Sequence, residues 1–221
     1  VFITKALDIL KMEKETEKFY KCFCKNTQSE SGMWEQRFYT DGRLAPCWGY
    51  QIDETASVIY GVYEHYERTN NIKFLKENLK MLEKASKFLQ KYVTDIIEEK
   101  NEVHICYDLW EMHEGVHLYS MASIFAAFNS MLKIYEIIAK DKELETNCLK
   151  QENILKQQEI LTNEIVRIKE YCVTTFYDEN KKCFKRNKQD EKMDISILGA
   201  VTPFAMFSPK EKKIVNTVEK I

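Results

Sequence analysis

Residues 107–139 read YDLWEMHEGVHLYSMASIFAAFNSMLKIYEIIA. From Met121 onward the apolar side chains Phe125, Phe128, Leu132, Tyr135 and Ile138 recur at steps of three and four, the period of a helix with one buried face. Before residue 118 that period is absent, and aromatic and acidic residues crowd together instead. A long helix entered from a loop dense in chemistry is the unit that decides the fold, because the chain repeats it.

Upstream, residues 51–69 place Ile52, Ala56, Ile59, Tyr63 and Tyr66 on one helical face. Residues 72–97 do the same with Leu75, Leu79, Leu82, Leu89, Val93 and Ile96, Ser86 filling the gap. A helix is also expected over 2–25, from Phe2, Ala6, Ile9, Leu10, Phe19 and Phe23. Downstream, 141–176 carries the stripe Leu161, Ile165, Ile168, Cys172 and Phe176, and short helices are expected at 194–201 and 209–221. Residues 177–187 predict a short hairpin around Asp178-Glu179-Asn180. The expected class is all-α, with six or seven helices whose pairs recur at roughly 40–50 residues, as in stacked or circularly arranged hairpins.

Composition agrees. The 221 residues are 44% hydrophobic and 31% charged, within the range of globular proteins. With 33 Lys+Arg against 35 Asp+Glu the net charge is −2, which argues against nucleic acid or an anionic membrane as partner. No uninterrupted apolar run approaches the ~20 residues of a membrane span. Only 6 Gly and 3 Pro exclude collagenous and turn-dense β architectures. The cysteines number 7, an odd count at irregular spacing, so a disulfide scaffold is not expected. Cys22 and Cys24 form a C-x-C pair with no second pair near it, a weak zinc signal. Free thiols fit a reducing compartment, and the expected localisation is cytoplasmic.

Two loops hold the chemistry. Residues 26–50 contain three of the 6 glycines, and this loop with the helix start after it gathers Trp34, Gln36, Arg37, Tyr39, Asp41, Trp48, Gln51 and Asp53. Flat aromatics suit the C–H face of a pyranose, and fixed polar forks suit its hydroxyls. A compact surface loop whose tryptophans pack on helix ends explains the same composition. In the second loop, Glu111 has Trp110 beside it to exclude water, and Asp108 and Glu114 lie close in sequence as like charges. A glycosidase acid must keep its proton near neutral pH, through desolvation or a like charge. An ordinary solvated Glu is the competing reading. The run His113-Glu114-Gly115-Val116-His117 has the H-E-x-x-H spacing of a zinc peptidase. Gly115 inside it, and its place at a helix start, weigh against that use.

In order and spacing, these segments resemble glycoside hydrolase family 15, the group of bacterial glucoamylases, glucodextranases and trehalases. The matching runs are WEQRFYTDG (34–42), WGYQIDET (48–55), YDLWE (107–111), GVHLYS (115–120), DISIL (194–198) and TVEKI (217–221). The resemblance implies an (α/α)6 toroid with its active site in loops at one end, and an inverting mechanism. It implies Glu111 as general acid, and Trp48, Gln51, Asp53, Trp110, Arg37 and Asp108 as substrate-binding residues, Asp108 also supporting the acid loop. It implies an oligosaccharide or α-glucan substrate cut at terminal α-linked glucose, with neither cofactor nor metal.

Two departures stand out. Met112 occupies the place where fungal members carry a second Glu. A twelve-helix ring needs roughly 350–450 residues, so residues 1–221 read as one partial toroid lacking helices at both ends. The base that must face Glu111 is expected in a loop beyond this chain, and neither Glu179 nor Glu191 has a suitable context. The chain alone is therefore expected to be inactive, with self-association through exposed toroid edges. A carbohydrate-binding or helical interaction fragment without catalysis is the alternative.

Overall fold

The structure is a computed structural model that describes residues 2–47, 49–100, 106–140 and 148–221, with side chains from 151 onward in the last segment. The N-terminal helices are α1 (Phe2–Ile9), α2 (Glu13–Lys18), a π-helical turn over Phe19–Cys24, and α3 (Lys25–Thr27). An irregular segment then leads to α4 (Ile52–Thr69) and α5 (Ile72–Ile97). The hairpin β1 (Cys106–Tyr107) and β2 (Glu114–Gly115) precedes α6 (Leu118–Ala139) and α7 (Cys148–Phe176). A second hairpin, β3 (Tyr177–Asp178) and β4 (Cys183–Phe184), is followed by a 3-10 helix (Ile195–Ala200) and α8 (Lys212–Val218).

Asparagines make the α4–α5 turn. Asn70 takes the left-handed conformation (φ 52°) and its N–H returns to the Tyr66 carbonyl at 2.7 Å. Asn71 caps α5 by accepting the Phe74 N–H at 3.1 Å. α5 buries one stripe, including Phe74, Leu75, Leu82, Ala85, Leu89 and Val93, and turns its charged residues outward. α6 is buried on nearly every side and lies against α4, α5, α7 and the 3-10 helix. It is long and apolar enough to cross a membrane, but 67% of its apolar window is covered by the protein itself. α4 and α6 form an inner layer with α5 and α7 outside it, which makes the chain a partial all-α toroid.

The expected single helix over 2–25 is corrected. It breaks after Ile9, where Lys11 adopts φ 62°, and the chain folds back. The residues that α1 buries are Thr4 and Asp8, while Phe2, Ile3, Ile9 and Leu10 are exposed. Polar partners decide this. Asp8 meets the fully buried His65 of α4 with both oxygens 2.9 Å from Nδ1, and Thr4 Oγ1 lies 3.1 Å from the Tyr20 hydroxyl. Buried polar groups that find each other outweigh an apolar stripe that finds nothing. Residues 141–147 of the helix expected over 141–176 lie outside the described residues. The short helix expected at 194–201 is a 3-10 helix over Ile195–Ala200.

Gly32 fixes where the first loop leaves the helices. Its φ is 105°, and a Cβ there would stand 2.3 Å from the Lys84 carbonyl oxygen of α5. Gly32→Ala is expected to cost about 2–3 kcal/mol through backbone strain and overpacking. Denaturant titration checks it, and a loss below ~0.5 kcal/mol would contradict the close approach.

Candidate active site

Glu111 stands at the tip of the β1–β2 hairpin, whose register pairs Cys106 with Gly115 and Tyr107 with Glu114. Asp108 closes that tip from within. Its N–H donates to the His113 carbonyl at 2.9 Å, its own carbonyl accepts the Glu111 N–H at 2.9 Å, and its Oδ1 accepts the N–H groups of Met112 and His113 at 2.8 and 3.2 Å. So tight a turn puts Glu111 at φ 57°, a left-handed pose that a non-glycine residue holds only when its surroundings fix it. Tyr107 ties the hairpin to the first loop by donating to the Tyr50 carbonyl at 2.8 Å.

That loop supplies the second tie. Gln36 Nε2 donates to Gln51 Oε1 at 2.8 Å, and Gln51 Nε2 donates to the Asp108 carbonyl at 3.0 Å. All three residues are buried. The chain of amides holds the first loop at a set distance from the acid hairpin. Arg37, next to Gln36, reaches Glu111, and its guanidinium Nη2 pairs with Glu111 Oε2.

Trp110 leaves 47% of its surface open, and its side chain helps hold the Asp194 carboxyl, which caps the 3-10 helix, below its ordinary range. The expectation that Trp110 excludes water from Glu111 does not fit this exposure. A half-open ring is suited to stacking instead. The opposing arm that fixes Asp194 is Arg186, whose Nη1 lies 3.2 Å from Asp194 Oδ2.

Like charge comes from α4. Burial, together with the charge of Glu111, pushes the Glu54 carboxyl above its ordinary range. Asp53 beside it is pushed up to about 7 by burial, with Glu54 and Asp108 adding to the effect. Asp53 faces inward among Cys106, Tyr92 and Tyr119, and one oxygen of Asp53 and one of Asp108 have no hydrogen-bond partner.

The structure thus brings together Arg37, Gln51, Asp108, Trp110 and Glu111, with Asp53 one layer deeper; Trp48 lies outside the described residues. Trp34 is in the core, its indole donating to the Cys24 carbonyl at 2.9 Å. Tyr39 and Asp41 turn to Arg43, whose Nε is 2.8 Å from Asp41 Oδ2. The packing reading therefore holds for Trp34. Sequence reasoning gathered Gln36 with the first loop but missed Glu54; the acidic pair at the start of α4 was the available signal.

Residues 113–117 are extended through β2, so the two histidines do not share a helix face. His117, buried before α6, donates Nε2–H to the Cys106 carbonyl at 3.0 Å, and burial holds its pKa below the usual histidine value. Among the described residues no group of three metal-ligating side chains occurs.

The sequence of residues 15–221 matches the family described as glycosyl hydrolases family 15. An uncharacterized glycosyl hydrolase of Methanocaldococcus jannaschii is 26% identical over 225 residues, a match that takes in 100% of this chain and 32% of that protein. The chain spans about a third of the length of that relative. Since the family match runs from α2 to the last residue, through both loops that meet at Glu111, the chain belongs to glycosyl hydrolase family 15.

Proposed function

We propose that this chain carries the acid half of a glucoamylase-like, inverting α-glucosidase, and that Glu111 is its general acid. The observation that carries the reading is the hairpin tip, where Asp108 locks Glu111 in a left-handed pose with Trp110 half-open beside it. The substrate is an α-linked glucoside, taken from the non-reducing end of an oligosaccharide or α-glucan. Trp110 offers a ring for the sugar's C–H face, and Arg37 offers donors for its hydroxyls. Glu111 protonates the departing glycosidic oxygen while a carboxylate across the ring draws a proton from the attacking water.

We assign that base to neither Asp53 nor Asp108, because both are buried and Asp108 is engaged in holding the hairpin. Glu54 leans on the acid itself. On this reading the chain alone binds glucosides without cutting them.

The test is the anomer released. Proton NMR of the full-length protein is expected to show the non-reducing unit released as β-glucose: an early excess of β over the mutarotation equilibrium from maltose or isomaltose, and equal α and β from trehalose, whose leaving glucose keeps its α configuration. An early excess of α-glucose would rule out inversion, and no turnover of any α-glucoside would rule out the substrate class.

A further inference from the structure

An ion pair with Arg37 favours the ionised form of Glu111. An ionised carboxylate has no proton to donate. The acidic groups around it work the other way. Glu54 faces it from α4 with Asp53 behind, and Asp108 belongs to its own hairpin. The guanidinium is well anchored for its part. The amide chain from Gln36 through Gln51 to Asp108 sets its backbone, and the Arg37 carbonyl accepts the Ala45 N–H at 3.1 Å. Arg37 and Glu111 are nonetheless open to the outside, their side chains 39% and 29% exposed. A ligand can reach this pair.

We propose that Arg37 is a latch on the acid. Without sugar it holds Glu111 ionised, and a neutral glucoside whose hydroxyls take over the guanidinium frees Glu111 to accept one proton from solvent. That proton is the one Glu111 then passes to the glycosidic oxygen as the C–O bond breaks, leaving the carboxylate to return to Arg37. The proposal rests on the reading of Glu111 as general acid. It makes Arg37 a positioning residue that sets the protonation state of its neighbour.

Two measurements on the full-length protein test it. The first needs no ligand: carbon-13 NMR titration of the Glu111 carboxyl, assigned by its loss in Glu111→Gln. The midpoint is expected about one pH unit higher in Arg37→Gln than in the wild type, with Arg37→Lys between them. Coincident midpoints overturn the latch, whatever the enzyme cuts. The second is calorimetric binding of a neutral, non-hydrolysable S-linked maltoside in two buffers of different ionisation heat, at a pH between the two midpoints. Wild type is expected to take up about three-quarters of a proton per site and Arg37→Gln about a quarter, the ionised fractions that midpoints about one pH unit apart leave halfway between them; equal uptake overturns the latch. No binding heat in either protein overturns the glucoside reading and the sugar-driven opening with it, while the first measurement still decides the hold of Arg37 on the acid.

Discussion

Replacing Glu111 by glutamine is expected to lower kcat for α-glucosides in the full-length protein by about 10²–10⁴-fold, the usual contribution of a general acid. The fold should survive. Glutamine has the same shape, its carbonyl oxygen can still accept from Arg37, and the pair being replaced is partly exposed, where such pairs contribute about 1 kcal/mol or less. KM is expected to change little, because the proton is transferred only in the transition state. Loss should also depend on the leaving group: an activated aryl glucoside needs less protonation and should lose less. Steady-state kinetics on maltose and on a nitrophenyl α-glucoside, beside circular dichroism of both proteins, checks this. A decrease under tenfold on maltose, with the fold intact, would remove Glu111 from the role of acid.

The helical framework was open to reading because inner and outer helices leave a plain record. α4 and α5 begin and end within a residue or so of their apolar periods, since each is bounded by a loop or by a capping asparagine. α1 was misread for a reason the same principle supplies. Periodicity reports which face is apolar, and the face buried here carries Thr4 and Asp8, whose partners Tyr20 and His65 lie far along the sequence. The hairpin at 177–184 was visible in its turn residues, while the one at 106–115 was read only as a loop, because each strand is two residues long.

The site divides in the same way. Glu111 and its hairpin were legible from a local motif, and Asp108 closes the turn through bonds within five residues. What joins that hairpin to the first loop was not legible. Gln36, Gln51 and Asp108 are separated by 15 and 57 residues in sequence, and nothing in an amide names its partner before the chain is folded. The same holds for Trp110, whose exposure does not fit its expected role as a water shield.

Asp53 offers the second large effect. Its carboxyl is buried beside Glu54 and Asp108, and its folded pKa is near 7 against an ordinary value of 3.8. A raised carboxyl pKa means that the folded state binds the proton more tightly than the unfolded chain. The stabilisation is therefore present below the unfolded value and is lost as pH rises from about 4 through 7. His117 contributes with the opposite sign, because its pKa is lowered by burial and stability is lost as pH falls through the histidine range. A total stability profile mixes the two, so the informative quantity is the difference between wild type and Asp53→Asn. Asparagine cannot ionise, and its amide N–H can donate to neighbouring oxygens that a carboxylate repels. The variant is expected to be more stable than wild type at pH 8 by on the order of 2 kcal/mol, and close to it or weaker at pH 4.5. Urea unfolding at the two pH values measures both. Parallel profiles, with the same difference at each pH, would mean that Asp53 keeps an ordinary carboxylate's titration, and that the ring of acids at the start of α4 is more solvated than its burial implies.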